Sequence, residues 1–123
     1  MGFTQVFDEA IRQLDIVINK ITMIASRLHA AMIRTFKHKG LERFFRKSDH
    51  RGIIAKTEER TERMLDRLDA VVRPEDMNIP GYKFHPLSGD RKGAYAVTVT
   101  GNWRITFKFD GIDAIDVNLE DYH

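Results

Sequence analysis

The chain has 123 residues, 42% hydrophobic and 31% charged, with a formal net charge of +2. That is an ordinary globular composition, which excludes a disordered or membrane protein, and a second independent core would be hard to fit. Zero cysteines exclude disulfides and thiolate chemistry. No apolar run is long enough to span a bilayer and no basic-then-apolar leader is present, so a cytoplasmic location with no membrane partner is expected.

Residues 1–31 form a segment of their own. Seven-residue spacing places Phe7, Leu14, Ile21 and Leu28 at one core position and Ala10, Val17, Ile24 and Ala31 at the other. Val6, Ile11, Ile18 and Ala25 widen the stripe, and neither Gly nor Pro interrupts it. With Thr4 in place to cap its start, this pattern predicts a long amphipathic helix. Packing on its own domain, self-association and docking on a partner all suit such a helix.

Met32 opens a different pattern. Residues 32–36 alternate as a short strand, and helical spacing follows over 39–47 and 54–72. The longer helix sets Ile54, Met64, Leu65, Leu68, Val71 and Val72 on one side, against a charged face from Glu58 to Arg67. Pro74 ends it, 74–80 reads as a loop, and the period then switches to two. Residues 82–85, 94–100, 103–109 and 112–118 read as strands, with Gly101-Asn102 and Asp110-Gly111 as tight hairpin turns. Strand, two helices, then an antiparallel meander predicts an α+β layer fold, with both helices on one face of a small antiparallel sheet.

The modest net charge hides an asymmetry. Residues 32–51 carry seven bases (Arg34, Lys37, Lys39, Arg43, Arg46, Lys47, Arg51) against two acids, whereas residues 110–123 carry five acids and no base. A basic face attracts a phosphate backbone, and contacts to it from groups such as Lys37, Lys39 and Arg43 would weaken with salt.

Cleaving RNA without a metal needs a base for the ribose 2′-hydroxyl, a cation for the phosphorane and an acid for the departing 5′-oxygen. Histidine suits the proton transfers, because its ordinary pKa of about 6.5 puts both forms within reach near neutrality. Arginine suits the second role, because its fork matches two phosphate oxygens and stays charged. His85 ends a strand before a turn, and His123 closes the chain beside Asp121 and Tyr122. Strand alternation puts Asp121 and His123 on one face and Tyr122 on the other; Asp121 can then orient His123, and Tyr122 can stack on a base or bond the phosphate. Asn102 and Arg104 share a face after the hairpin turn, and Arg91 and Lys92 lie in the loop after His85, placed to grip a phosphate. Each has a plainer reading: surface histidine, frayed terminus, turn asparagine, solvated base. Trp103 and Phe107 alternate with Arg104 and Thr106 and are expected in the core. No His-Glu-x-x-His pair, other ligand spacing or Gly-rich phosphate loop appears, so neither a metal nor a cofactor is expected.

The order Met32-Ile33-Arg34-Thr35-Phe36-Lys37-His38-Lys39-Gly40-Leu41, the His85 turn, Asn102-Trp103-Arg104 and the closing Asp121-Tyr122-His123 resemble HigB-type toxins of the RelE/ParE superfamily. The resemblance covers residues 32–123. It leaves 1–31 outside, either as an extra helix or as sequence upstream of a start at Met32. It implies a RelE-like fold and a type II toxin–antitoxin toxin that cleaves translated mRNA on the ribosome. Its partners would be a HigA-type helix-turn-helix antitoxin, rRNA and mRNA. The implied site is His85, Asn102, Arg104, Asp121, Tyr122 and His123. Some relatives have lysine where this chain has Ser88 and a base where it has Thr100, so phosphate-stabilising charge is missing at both, and Arg91 or Lys92 are candidates to replace it. Two other readings stand beside this one: a ParE-like toxin acting on DNA gyrase, which has no use for an acid/base set, and a non-catalytic RNA-binding regulatory domain.

Overall fold

The computed structural model describes residues 2–27 and 30–122. The chain divides into two compact units, 1–30 and 31–123.

The first unit is helix α1, Gly2–Arg27. It begins ahead of Thr4, the expected start, which lies within the helix. Leu28 and His29, part of the predicted 1–31 segment, lie outside the described residues. Along the described side chains the apolar stripe is exposed: Leu14 is 59% and Ile21 60% accessible.

The second unit is the predicted α+β layer fold. Its helices are α2, Lys39–Lys47, and α3, Glu58–Ala70. Its sheet is an antiparallel meander β1-β2-β3-β4, made of His85–Pro86, Ala94–Thr100, Trp103–Asp110 and Asp113–Asp121. Alternation supplies one apolar sheet face, with Val97, Val99, Ile105, Phe107 and Val117 buried. Helical spacing in α3 sets Thr61, Met64, Leu65 and Leu68 on one stripe, also buried, and α2 adds Leu41 and Phe44. Closing these faces together stabilises the unit by about 1.5–3 kcal/mol for each large aliphatic side chain.

Several predicted boundaries shift for identifiable reasons. The helix expected over 54–72 begins as a tight 3-10 turn, Ala55–Thr57, in which the Thr57 hydroxyl donates to the Ile54 carbonyl at 2.8 Å. It ends at Ala70 because Val71 is extended. The strand expected over 82–85 is regular only at 85–86, because Lys83 takes a left-handed φ of 51°. Residues 81–82 are still held to β2: Thr98 N–H donates to the Tyr82 carbonyl at 2.8 Å, and Arg60 of α3 donates to the Gly81 carbonyl at 2.8 Å. Residues 32–36 run parallel beside β4, bridging Ile33 to Ala114 and Phe36 to Val117. The pairing is interrupted at Asp116 (φ 52°), whose N–H donates to the Thr35 hydroxyl. The last strand reaches past the expected Asn118 to Asp121, and that extension matters most for the site.

Candidate active site

The β2–β3 turn is the hub. Gly101 takes a φ of 50°, a left-handed conformation that a side chain disfavours, and so lets the chain reverse tightly into Asn102. β3 then pairs with the far end of β4, Trp103 opposite Asp121 and Arg104 opposite Glu120. Tyr122 N–H donates to the Asn102 carbonyl at 2.6 Å, so Tyr122 is stitched to the turn.

Two grooves flank this turn. The first, about 370 Å³, is lined by Lys83, His85, Thr98, Gly101, Asn102, Trp103, Arg104 and Tyr122. The second, about 380 Å³, shares Gly101, Asn102 and Trp103 and adds Ile54, Lys56, Thr100 and Asp121. The structure thus brings His85, Asn102, Arg104 and Tyr122 together and sets Asp121 on the other side of the turn. That separation is the alternation expected for the C-terminal strand. His123 lies outside the described residues, and with it the expectation that Asp121 orients it.

Within the first groove two groups are held in specific states. His85 Nδ1 is 2.9 Å from the Lys83 carbonyl. A carbonyl only accepts, so Nδ1 carries a proton, and Nε2 is the ring nitrogen left for proton exchange with a substrate. Arg104 has a side chain only 12% exposed; its guanidinium lies over the Tyr122 ring at 4.2 Å, and its Nε donates to Glu120 at 3.3 Å. Burial pushes the Glu120 carboxyl up, but hydrogen bonds and charge from Arg91 and Arg104 outweigh it and hold the group below its ordinary value.

The other expected RNA contacts lie elsewhere. Arg91, in the 3-10 turn Gly89–Arg91, turns both terminal nitrogens onto Glu120, and Lys92 beside it is exposed. Lys37 bonds to the Val117 backbone at the β4 edge, while Lys39 and Arg43 on α2 sit near Glu42 and Asp49. None of these five lines either groove. Phe107 is in the core as expected; Trp103 is half-buried, packs against the core and lines both grooves.

Sequence reasoning passed over Lys83, Lys56 and Glu120. Lys83 is two residues before His85, so strand spacing offered a weak signal. Glu120 had none without the register, because its significance is its place opposite Arg104. Lys83 is a second cation of the first groove beside Arg104, where lysine at Ser88 and a base at Thr100 are absent. Among the described residues no three His, Asp or Glu side chains come together as metal ligands, and no helix is long and apolar enough to cross a membrane.

Two helices against one face of a four-stranded antiparallel meander, with a basic groove at its turn and C-terminal strand, define an α+β protein of RelE-like design. The family model for the RelE-like toxin of the type II toxin–antitoxin system HigB matches residues 34–123, and the chain belongs to that family. It is 45% identical over 92 residues to Endoribonuclease HigB of Proteus vulgaris, covering 75% of this chain and 100% of that protein. It is 34% identical over 89 residues to Toxin HigB-1 of Vibrio cholerae serotype O1, covering 71% of this chain and 92% of that one. Membership of a type II system implies an antitoxin partner.

Proposed function

We propose that this toxin is an endoribonuclease that cuts translated mRNA on the ribosome by metal-independent acid/base chemistry, with residues 32–123 as the toxin domain and 1–31 as an N-terminal helical extension. The observation that carries this reading is the groove in which Lys83, His85, Asn102, Arg104 and Tyr122 meet, with His85 Nδ1 held on the Lys83 carbonyl and the Arg104 guanidinium braced over the Tyr122 ring. Nε2 of His85 takes the 2′-hydroxyl proton as the 2′-oxygen attacks phosphorus. The Arg104 fork and Lys83 offset the charge that builds on the phosphorane. The bond to the 5′-oxygen then breaks, leaving a 2′,3′-cyclic phosphate, and the imidazole of His123 supplies the proton. Asn102 and Tyr122 hold the nucleotides beside the scissile bond. Lys37, Lys39, Arg43 and Lys92 are the further cations of the RNA-facing surface, which meets rRNA and message in the cytoplasm. The antitoxin is of the helix-turn-helix HigA type.

Primer extension on mRNA from cells expressing the toxin tests this. Cuts inside translated codons that disappear on His85→Ala and on His123→Ala are expected. Growth arrest with uncut message and inhibited gyrase would transfer the protein to the gyrase-binding class. Deleting residues 1–31 is expected to leave cleavage intact; if cleavage is lost, the extension belongs to the working enzyme.

A further inference from the structure

Glu120 has no role in the chemistry above, yet it sits at the centre of the site's charge. It is the direct cross-strand partner of Arg104. Its Oε2 accepts from Arg104 Nε at 3.3 Å and from Arg91 Nη1 at 3.1 Å, while Oε1 lies 2.9 Å from Arg91 Nη2. Arg91 therefore clasps the carboxylate with both terminal nitrogens, and Arg104 meets it only through Nε. We propose that Glu120, braced by Arg91, is the positioning residue that sets the Arg104 guanidinium for the scissile phosphate, and that Arg91 acts through Glu120 and not on RNA. This rests on Arg104 being the phosphate-facing cation of the groove.

The geometry explains why such a brace is useful. A guanidinium offers two edges to oxygen anions, one with Nε and one made by both terminal nitrogens. Glu120 takes the Nε edge and Tyr122 flanks a face, so the plane of the group is set on two sides while, among the described residues, no carboxylate takes the terminal edge. The side chains of Glu120 and Arg104 are only 23% and 12% exposed, so solvent screens this contact far less than an ordinary surface pair. Arg91, 40% exposed, supplies the second cation that holds Glu120 ionised and in place. One carboxylate between two guanidiniums also keeps those like charges from repelling each other.

A brace and an RNA contact make opposite kinetic predictions. Removing the Glu120 charge makes the groove more positive, so message binds as well or better, but Arg104 is no longer held for the transition state. The test uses single-turnover cleavage of mRNA on translating ribosomes by the full chain, with rate followed against toxin concentration. Glu120→Gln is expected to lower the saturating rate by about 10- to 100-fold. The half-saturating concentration should stay within about threefold or fall, because no ground-state contact is lost. Glu120→Asp should recover part of the rate. Arg91→Ala should also lower the rate, and Arg91→Ala combined with Glu120→Gln should be no worse than Glu120→Gln alone, because the two act as a unit.

Thermal melts of each variant separate misfolding from mispositioning, and Glu120→Asp serves as the folded comparator should Glu120→Gln melt early. The proposal is overturned if Glu120→Gln keeps the wild-type rate while Arg104→Ala abolishes cleavage. It is also overturned if the Arg91 and Glu120 effects multiply independently, or if Arg91→Ala raises only the half-saturating concentration. If Arg104→Ala itself leaves cleavage unchanged, the reading of the groove falls and the brace falls with it, an outcome distinct from the others.

Discussion

The guanidinium of Arg104 lies 4.2 Å from the centroid of the Tyr122 ring, joining a β3 residue to the end of the chain. Strand β4 had to extend to Asp121 for this contact to form, because Tyr122 follows directly and bonds back to Asn102. The stacking is a property of the ring, so Tyr122→Phe should preserve it and keep cleavage within about threefold of wild type, whereas Tyr122→Ala should lose about fivefold or more, a cation–π contact being worth about 1 kcal/mol here. Cleavage rates of the two variants check this. If Phe is as damaging as Ala, the hydroxyl and not the ring is the working group.

His38 links folding to pH. Its Nδ1 accepts from Leu41 N–H at 2.9 Å and so caps α2, a bond that requires the unprotonated ring nitrogen. Burial first, and the nearby Arg43 charge second, push the imidazole below its ordinary value of 6.5. A lowered folded-state pKa means that the contribution is fully present above the unfolded value and is lost as pH falls through the folded one. Melting temperature should therefore decline on acidification from neutral through this range more in wild type than in His38→Asn, whose side chain caps at any pH. Parallel declines in both proteins would remove His38 as the cause.

Gly40 and Gly52 pack backbone against backbone where α2 meets the 3-10 turn His50–Gly52. A Cβ on Gly52 would stand 2.7 Å from the Gly40 Cα, inside contact distance, with only main chain to give way. Gly52→Ala is expected to destabilise the toxin domain by about 1–3 kcal/mol in urea denaturation. Wild-type stability in that variant would show that the turn moves freely and does not hold α2.

Asp113 ties the edge segment to the sheet. Its carboxylate accepts from Met32 N–H at 3.2 Å and from Arg34 at 3.4 Å, and the residue is only 2% exposed. Asp113→Ala leaves those donors without this acceptor and should cost about 1–3 kcal/mol, read as a lower denaturation midpoint. Protection of the Arg34 amide, which donates to the Ala114 carbonyl, should drop with it in hydrogen exchange. An unchanged midpoint would assign the edge pairing to the backbone alone.

Much of this protein was legible in its residues taken singly and by spacing. Periodicity placed α2 and β2 at their observed bounds and anticipated the meander with its two turns, because burial on one face of a helix or strand leaves a repeat in the chain itself. His85, Asn102, Arg104 and Tyr122 could be nominated from their chemistry, since few side chain types serve RNA cleavage. Register could not be read in this way. Whether β4 stops at Asn118 or continues to Asp121 depends on backbone pairing with β3, and that pairing alone puts Glu120 opposite Arg104; alternation separates Asp121 from Tyr122, but only the pairing brings Tyr122 to the groove of His85 and Arg104. Lys83 entered the groove only because Tyr82 and Gly81 are tied down by Thr98 and Arg60, 16 and 21 positions away in the chain. Local spacing encodes which face of an element is apolar and which groups are chemically able; the partners of those groups are chosen by contacts between segments remote in sequence, and those exist only once the core has closed.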